Sequence, residues 1–186
     1  MAALMELPVK FIWSHDAFRV GEDGPTHEPV EQEAQIRLME KLKNHSGRNS
    51  VLVMRPADSK ATIECWRLAM ENKHTPSALI LSRQTIEDLP QDNPYDSIRR
   101  GGYVVAGSDA DFDVILLGNG SEVSTLVAGA QLLRQDGIKV RVVSVPSEGL
   151  FRNQSTEYQQ SIIPAGSKIF GLTAGLPVNL SGFLVG

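Results

Sequence analysis

Two histidines, His15 and His27, stand in one stretch punctuated by Gly and Pro. It reads Ser14-His15-Asp16-Ala17-Phe18-Arg19-Val20-Gly21-Glu22-Asp23-Gly24-Pro25-Thr26-His27-Glu28-Pro29. Imidazoles exchange protons near neutral pH, carboxylates accept hydrogen bonds from hydroxyls, and either can ligate a metal. A plain turn is one reading, since Asp23-Gly24 suits a tight reversal. A loop that fixes polar side chains over a ligand is another. Metal ligation by His15 and His27 is a third, although no tight ligand spacing supports it.

The elements around this stretch follow from periodicity. Val9 to Trp13 reads as a strand that delivers the stretch at its carboxyl end, where open α/β sheets place ligands. Pro29 suits the first turn of a helix, with Val30, Ala34, Leu38 and Leu42 as its buried stripe. Ser50 to Met54 is a second strand, ended by Arg55-Pro56-Ala57-Asp58. Asp58 then caps a helix with Ile63, Trp66 and Met70 on one face, on which Arg67 and Glu71 can pair. Ala61 leaves that cap without its box partner. Ala78 to Ser82 is a nearly all-apolar third strand, as buried parallel strands are. Arg83 follows it, either as a surface cap or as an anion ligand.

From residue 85 to about 100 periodicity is lost, which marks an extended linker. Gly101 to Val105 opens a second unit, and 112–117 is a buried strand, followed by the turn Gly118-Asn119-Gly120-Ser121. That turn invites a dinucleotide reading. The third glycine's place is taken by Val123, however, and no acidic residue follows at the expected distance, so a tight strand-to-helix turn fits better. The helix after it turns Val123, Leu126, Val127, Ala130 and Leu133 inward and stops at Gly137. A strand at 139–144, a helix at about 156–163 and a strand at 168–172 complete the pattern. This alternation predicts an α/β protein with two parallel-sheet units, residues 1–86 and 101–186, joined by a linker at 87–100.

The 186 residues are 41% apolar and 22% charged, the balance of a globular protein. A net charge of −4 argues against nucleic acid or an anionic membrane as main partner, while leaving room for a small anionic ligand. The single cysteine, Cys65, allows no disulfide framework and suits a reducing compartment. The apolar runs are too short to span a bilayer, and Met1 to Pro8 lacks the features of a signal peptide. A cytoplasmic location is expected.

The loop from Ser14 to Glu31 resembles the signature loop of transketolase. The resemblance continues through Arg55-Pro56-Ala57-Asp58, Leu81-Ser82-Arg83-Gln84, Gly101-Gly102-Tyr103-Val104, Gly118 to Val123 and Arg141 to Pro146. These blocks keep the family's order across nearly the whole chain. Deoxyxylulose-phosphate synthase shares a similar Asp-Gly-Pro-Thr-His stretch but usually lacks the histidine matching His15. The resemblance implies the end of a pyrimidine-binding domain (1–86) and most of a transketolase C-terminal domain (101–186). On it, the chain is a fragment that begins inside a family helix, with no counterpart of the motif that holds metal and diphosphate. Gln35 to Ser50 is longer than the family's usual link, which suggests a surface extension, and Ala61 replaces a common acidic residue.

Further implications concern chemistry. The complete enzyme would transfer a two-carbon ketol unit from ketose phosphate to aldose phosphate in the pentose phosphate pathway, as a homodimer. It would use thiamine diphosphate with Mg2+ or Ca2+, none of it held tightly by this chain alone, which would be inactive. On this resemblance His15 and Arg83 bind the sugar phosphate, Asp23 reads a sugar hydroxyl, and His27 binds a substrate oxygen and can relay a proton as the catalytic residue. The competing readings are structural: His15 as a strand cap, Asp23 as a turn residue, Arg83 paired with Glu22 or Asp23. A non-catalytic binding or dimerisation module, or one subunit of a split thiamine-dependent enzyme, is the alternative function.

Overall fold

A computed structural model describes residues 1–16, 24, 27, 30–90, 95–108 and 111–184. In the first unit, β1 (Lys10–Trp13), β2 (Leu52–Met54) and β3 (Ser77–Ile80) form a sheet in the order β1-β3-β2, parallel throughout. The apolar run of β3 is buried at every residue because it lies between two neighbours. Helices α1 (Gln32–Lys41) and α2 (Ser59–Glu71) follow β1 and β2. The Asp58 carboxylate caps α2 by accepting from Ala61 N–H at 2.7 Å, as its position predicts.

Both helices reverse the expected burial. In α1 Leu38 is exposed, as is Leu42 just past its end, and Arg37 and Glu40 are buried instead. The polar face is drawn inward by a cluster of charges at the unit boundary, described below. In α2, Ile63, Trp66 and Met70 are exposed, while Ala61, Glu64, Cys65 and Ala69 face the core. Ala61 packs with Tyr103, Leu116 and Leu126 of the second unit, whereas Cys65 and Ala69 pack on Met54 and Leu79 of the first unit's sheet. Arg67 donates to Glu64 at 3.2 Å and Glu71 is engaged by Arg99, while the Arg67 charge still favours the Glu71 carboxylate. Met1 to Met5 make a single hydrogen-bonded turn.

In the second unit, β4 (Tyr103–Ala106), β5 (Val114–Gly118), β6 (Val140–Ser144) and β7 (Ile169–Gly171) take the order β4-β6-β5-β7. Strand β5 runs parallel to β6 and β7, but β4 is antiparallel to β6, with a register shift between Val104 and Ala106. The expected wholly parallel sheet is thus mixed. A parallel crossover needs a dozen or more residues, and the stretch from Ala106 to Val114 is too short to supply one. Helix α4 (Glu122–Gln135) buries Val123, Leu126, Val127 and Ala130 and ends at Gly137, whose φ is +79°.

Three short helices escape the periodicity argument: α3 (Tyr95–Arg99), α5 (Glu148–Arg152) and α7 (Val178–Leu184). Elements this short hold too few residues for a helical period to show. Helix α6 (Thr156–Ile162) lies where the pattern places it. The expected extended linker is packed as well. Leu89 and Ile98 join Ala57 and Ala61 of the first unit and Tyr103, Leu116 and Leu126 of the second in one buried cluster. Cys65 is buried and its thiol is pushed upward by burial, with Glu64 and Asp58 adding to the effect. Among the described residues no helix is long and apolar enough to cross a membrane.

Candidate active-site edge and its buried charge cluster

The pairing of β1 with β3 decides where two of the expected site residues emerge. Trp13 lies opposite Ile80, and Leu81 N–H donates to the Trp13 carbonyl at 2.7 Å. The chain therefore leaves the sheet at the same carboxyl edge on two adjacent strands, with His15 two residues past one and Arg83 three past the other. Both side chains are exposed. His15 adopts φ of +68°, in the left-handed region, and its Nδ1 lies 2.9 Å from Ser14 Oγ. Non-glycine residues hold that conformation where surrounding contacts impose it.

His27 sits exposed in a turn whose N–H donates to the Gly24 carbonyl at 3.1 Å. Gly24 itself has φ of +74°, which Gly adopts without a Cβ penalty. Asp23 lies outside the described residues, as does Glu22. The structure thus brings the His15 and Arg83 segments to one edge and holds His27 in a turn with Gly24. The alternative partners of Arg83, Glu22 and Asp23, fall outside the described residues.

Behind this edge lies a group of residues for which periodicity gave no site role. Arg55 follows β2 directly and is fully buried. Its Nη1 donates to Glu122 Oε1 at 2.7 Å and to Asn119 Oδ1 at 2.7 Å. Its Nη2 meets Asp16 Oδ2 at 2.8 Å and Glu122 Oε2 at 2.7 Å. Glu33 Oε2 approaches Nη1 at 4.0 Å, while the other Glu33 oxygen takes Arg37 Nε at 2.8 Å. The planar guanidinium fork suits this, since it presents donors in fixed directions to several oxygens at once.

The backbone ties the same residues. Arg55 N–H donates to the Pro146 carbonyl at 2.8 Å, and Gly120 N–H donates to the Arg55 carbonyl at 3.0 Å. Gly120 has φ of +58°, and a Cβ there would lie 2.7 Å from the Arg55 guanidinium. The glycine turn after β5 is therefore a seat for Arg55, which explains its composition without a nucleotide. Ser121 Oγ also donates to Asp16 Oδ2 at 3.3 Å. Asp16 Oδ1 is buried without a hydrogen-bond partner among the described residues.

The electrostatics follow from burial. Desolvation opposes the charge on Arg55, but Glu122, Glu33 and Asp16 more than offset it and raise its pKa. Burial outweighs Arg55's attraction at Glu122 and raises that carboxyl. At Glu33 burial works against charge, yet Arg37 and Arg55 together hold the carboxyl below its ordinary value. Glu40 is raised by burial despite Arg37 and the N–H groups of Val53 and Gly149. It accepts from Val53 N–H at 3.1 Å and Ser147 Oγ at 3.3 Å, forming a second polar tie between the units.

One signal could have exposed Arg55 in the sequence: it stands at the carboxyl end of an apolar strand, the same position that singles out Arg83. Nothing in a single sequence shows that Asn119 and Glu122, far along the chain, complete its coordination. Among the described residues no three His, Cys, Asp or Glu side chains converge to hold a metal.

Two family models match the chain: the transketolase pyrimidine-binding domain over residues 1–88, and the transketolase-like C-terminal domain over 101–184. A transketolase of Halalkalibacterium halodurans is 44% identical over 167 residues, which cover 89% of this chain and 24% of that protein. Among solved structures, transketolase from Leishmania mexicana aligns with a TM-score of 0.86 and 35% identity, covering 99% of this chain and 26% of that one. A transketolase complex with sedoheptulose 7-phosphate from Pichia stipitis aligns with a TM-score of 0.81 and 36% identity, covering 92% and 24%. The chain spans about a quarter of the length of the relatives it matches.

Proposed function

This chain belongs to the transketolase family, and from that footing we propose that it forms the part of the enzyme that grips the sugar phosphate. The complete protein then moves a two-carbon ketol unit from a ketose phosphate to an aldose phosphate, as a cytoplasmic homodimer in the pentose phosphate pathway. The observation that carries this reading is the β1–β3 register, which sets His15 and Arg83 on one exposed edge. A planar guanidinium matches phosphate oxygens, and an imidazole beside a dianion is stabilised in its charged form. The Pichia stipitis relative solved with a sugar phosphate supports the same substrate class.

In this reading Asp23 accepts a hydrogen bond from a sugar hydroxyl, so an epimer that cannot donate leaves that acceptor unpaired. His27 binds an oxygen of the substrate near the reacting carbons and exchanges a proton with it. Thiamine diphosphate, with Mg2+ or Ca2+, is the electron sink of the family's reaction. Among the described residues no three His, Cys, Asp or Glu side chains converge to hold that cation. We expect this chain alone to be inactive. The division into residues 1–86 and 101–186 is part of the same proposal, with 87–100 as a packed connection.

The test uses a transketolase that carries this sequence in its corresponding quarter, supplied with thiamine diphosphate and Mg2+. With a ketose phosphate donor and an aldose phosphate acceptor, the acceptor should grow by two carbons. A complete, folded enzyme that lengthens no acceptor would contradict the proposal.

A further inference from the structure

The Arg55 cluster joins a turn of the second unit to the residue that follows His15. We propose that Glu122, assisted by Asn119, is a positioning group for phosphate binding: it holds Arg55, Arg55 holds Asp16, and Asp16 fixes the left-handed backbone of His15. The proposal rests on the phosphate role of His15 set out above.

His15 lies between two anchors. On its amino side the Trp13 carbonyl is bonded to Leu81 N–H at 2.7 Å. On its carboxyl side the Asp16 side chain is 1% exposed, with Arg55 Nη2 at 2.8 Å. Ser121 Oγ, from the second unit, adds a bond to the same oxygen at 3.3 Å. Pinned at both ends, the two residues between have little freedom, and His15 takes φ of +68°. That conformation persists where its surroundings over-determine it.

The far end of the clamp belongs to the second unit. Glu122 faces both terminal nitrogens of Arg55 at 2.7 Å each and is itself held by Ala174 N–H at 2.8 Å. Because the guanidinium is a rigid plane, a change at Glu122 moves the nitrogen that holds Asp16. Loosening it lets His15 sample ordinary backbone conformations. Affinity then falls in proportion to the fraction of chains that keep the competent one. This gives the second unit a task at the sugar-phosphate edge.

The experiment is NMR on the 186-residue chain with labelled histidine, whose four imidazoles report separately, during titration with inorganic phosphate. Wild type is compared with Glu122→Gln, Asn119→Ala and a control, Glu64→Gln. Gln keeps the size of Glu122 but turns one acceptor toward Arg55 into a donor. Glu64 lies in a different ion pair, with Arg99 at 2.6 Å, so it reports on general loosening. The backbone carbon shifts of His15 should move toward ordinary negative-φ values in Glu122→Gln and, by less, in Asn119→Ala. The phosphate Kd read at His15 should rise about five- to tenfold in Glu122→Gln, as for a competent fraction reduced by that factor. His45 and His74 should stay in place, and Glu64→Gln should match wild type. An unmoved His15 in both Glu122→Gln and Asn119→Ala would overturn the proposal, and so would an equal response in Glu64→Gln. If phosphate leaves wild-type His15 unaffected while Glu122→Gln still moves its backbone, the phosphate role fails and the clamp stands.

Discussion

Replacing Arg55 with Met would remove the one guanidinium that faces Asp16, Glu33 and Glu122 together. Met preserves much of the apolar stem, so the loss is chiefly of charge and donors. Truncating one partner of a buried pair costs about 3–5 kcal/mol, because an uncompensated charge stays in the interior. Solvent offers little relief here, since Arg55 and Glu122 are both 0% exposed. At about 2–4 °C per kcal/mol for a chain of this size, the melting temperature should fall by about 6–20 °C. The pH dependence has a definite sign. Without Arg55 the Glu33 and Glu122 carboxyls lose an attraction that lowers them and rise in the folded state, which then binds protons that the unfolded chain does not. The deficit should therefore be full near pH 8 and shrink as pH falls into the carboxylate range. Urea unfolding at pH 8 and pH 5 measures it. The comparison is Lys139→Met, at an ion pair with Asp111 whose partners are 57% and 69% exposed. That substitution, at a pair screened by solvent, should cost far less. An Arg55→Met deficit no larger than that of Lys139→Met, or one that grows on acidification, would refute the reasoning.

Other substitutions probe the same seam and the loop. Gly120→Ala should lower stability by about 1–3 kcal/mol in urea unfolding, because the position has φ of +58° and a Cβ would lie 2.7 Å from Arg55; an unchanged midpoint would exclude this close approach. Glu40 has a folded pKa raised by burial, so wild type should lose stability relative to Glu40→Gln as pH climbs from about 4.3 toward neutrality, and a difference that is flat or rises with pH would contradict that sign. In an active enzyme carrying this sequence, Asp23→Ala should reduce kcat/KM for the preferred donor by about 1–3 kcal/mol. The loss should be smaller for a donor lacking the hydroxyl that Asp23 reads, and equal losses on both donors would remove Asp23 from recognition.

Much of the architecture was legible because strands and long helices announce themselves by period. The all-apolar run at Ala78 to Leu81 identified β3, and Val123, Leu126, Val127 and Ala130 identified the inward face of α4. The stripes of α1 and α2 misled for a shared reason. Periodicity reports which side chains are apolar, whereas burial here follows the ion pairs of Arg37 and Glu64 and the packing of Ala61 on the second unit and of Ala69 on the first unit's sheet. The antiparallel β4 depends on connection length, which an alternation rule ignores. The loop residues His15 and His27 could be singled out because polar types crowd into a short Gly/Pro stretch. Arg55, Asn119 and Glu122 could not be connected, since their relation exists only after two distant strand ends meet.

The central claim is that His15 and Arg83 together bind the phosphate of a sugar phosphate. Its most direct test is kcat/KM for a phosphorylated and an unphosphorylated donor, in an active enzyme carrying this sequence and in its His15→Ala and Arg83→Ala variants. Each truncation removes charge-assisted hydrogen bonds worth about 1.5–3 kcal/mol, or roughly 10- to 150-fold. The account predicts that loss on the phosphorylated donor, mostly in KM, with near-normal use of the unphosphorylated one. If both donors suffer alike, so that their ratio stays at the wild-type value, the two residues do not read the phosphate.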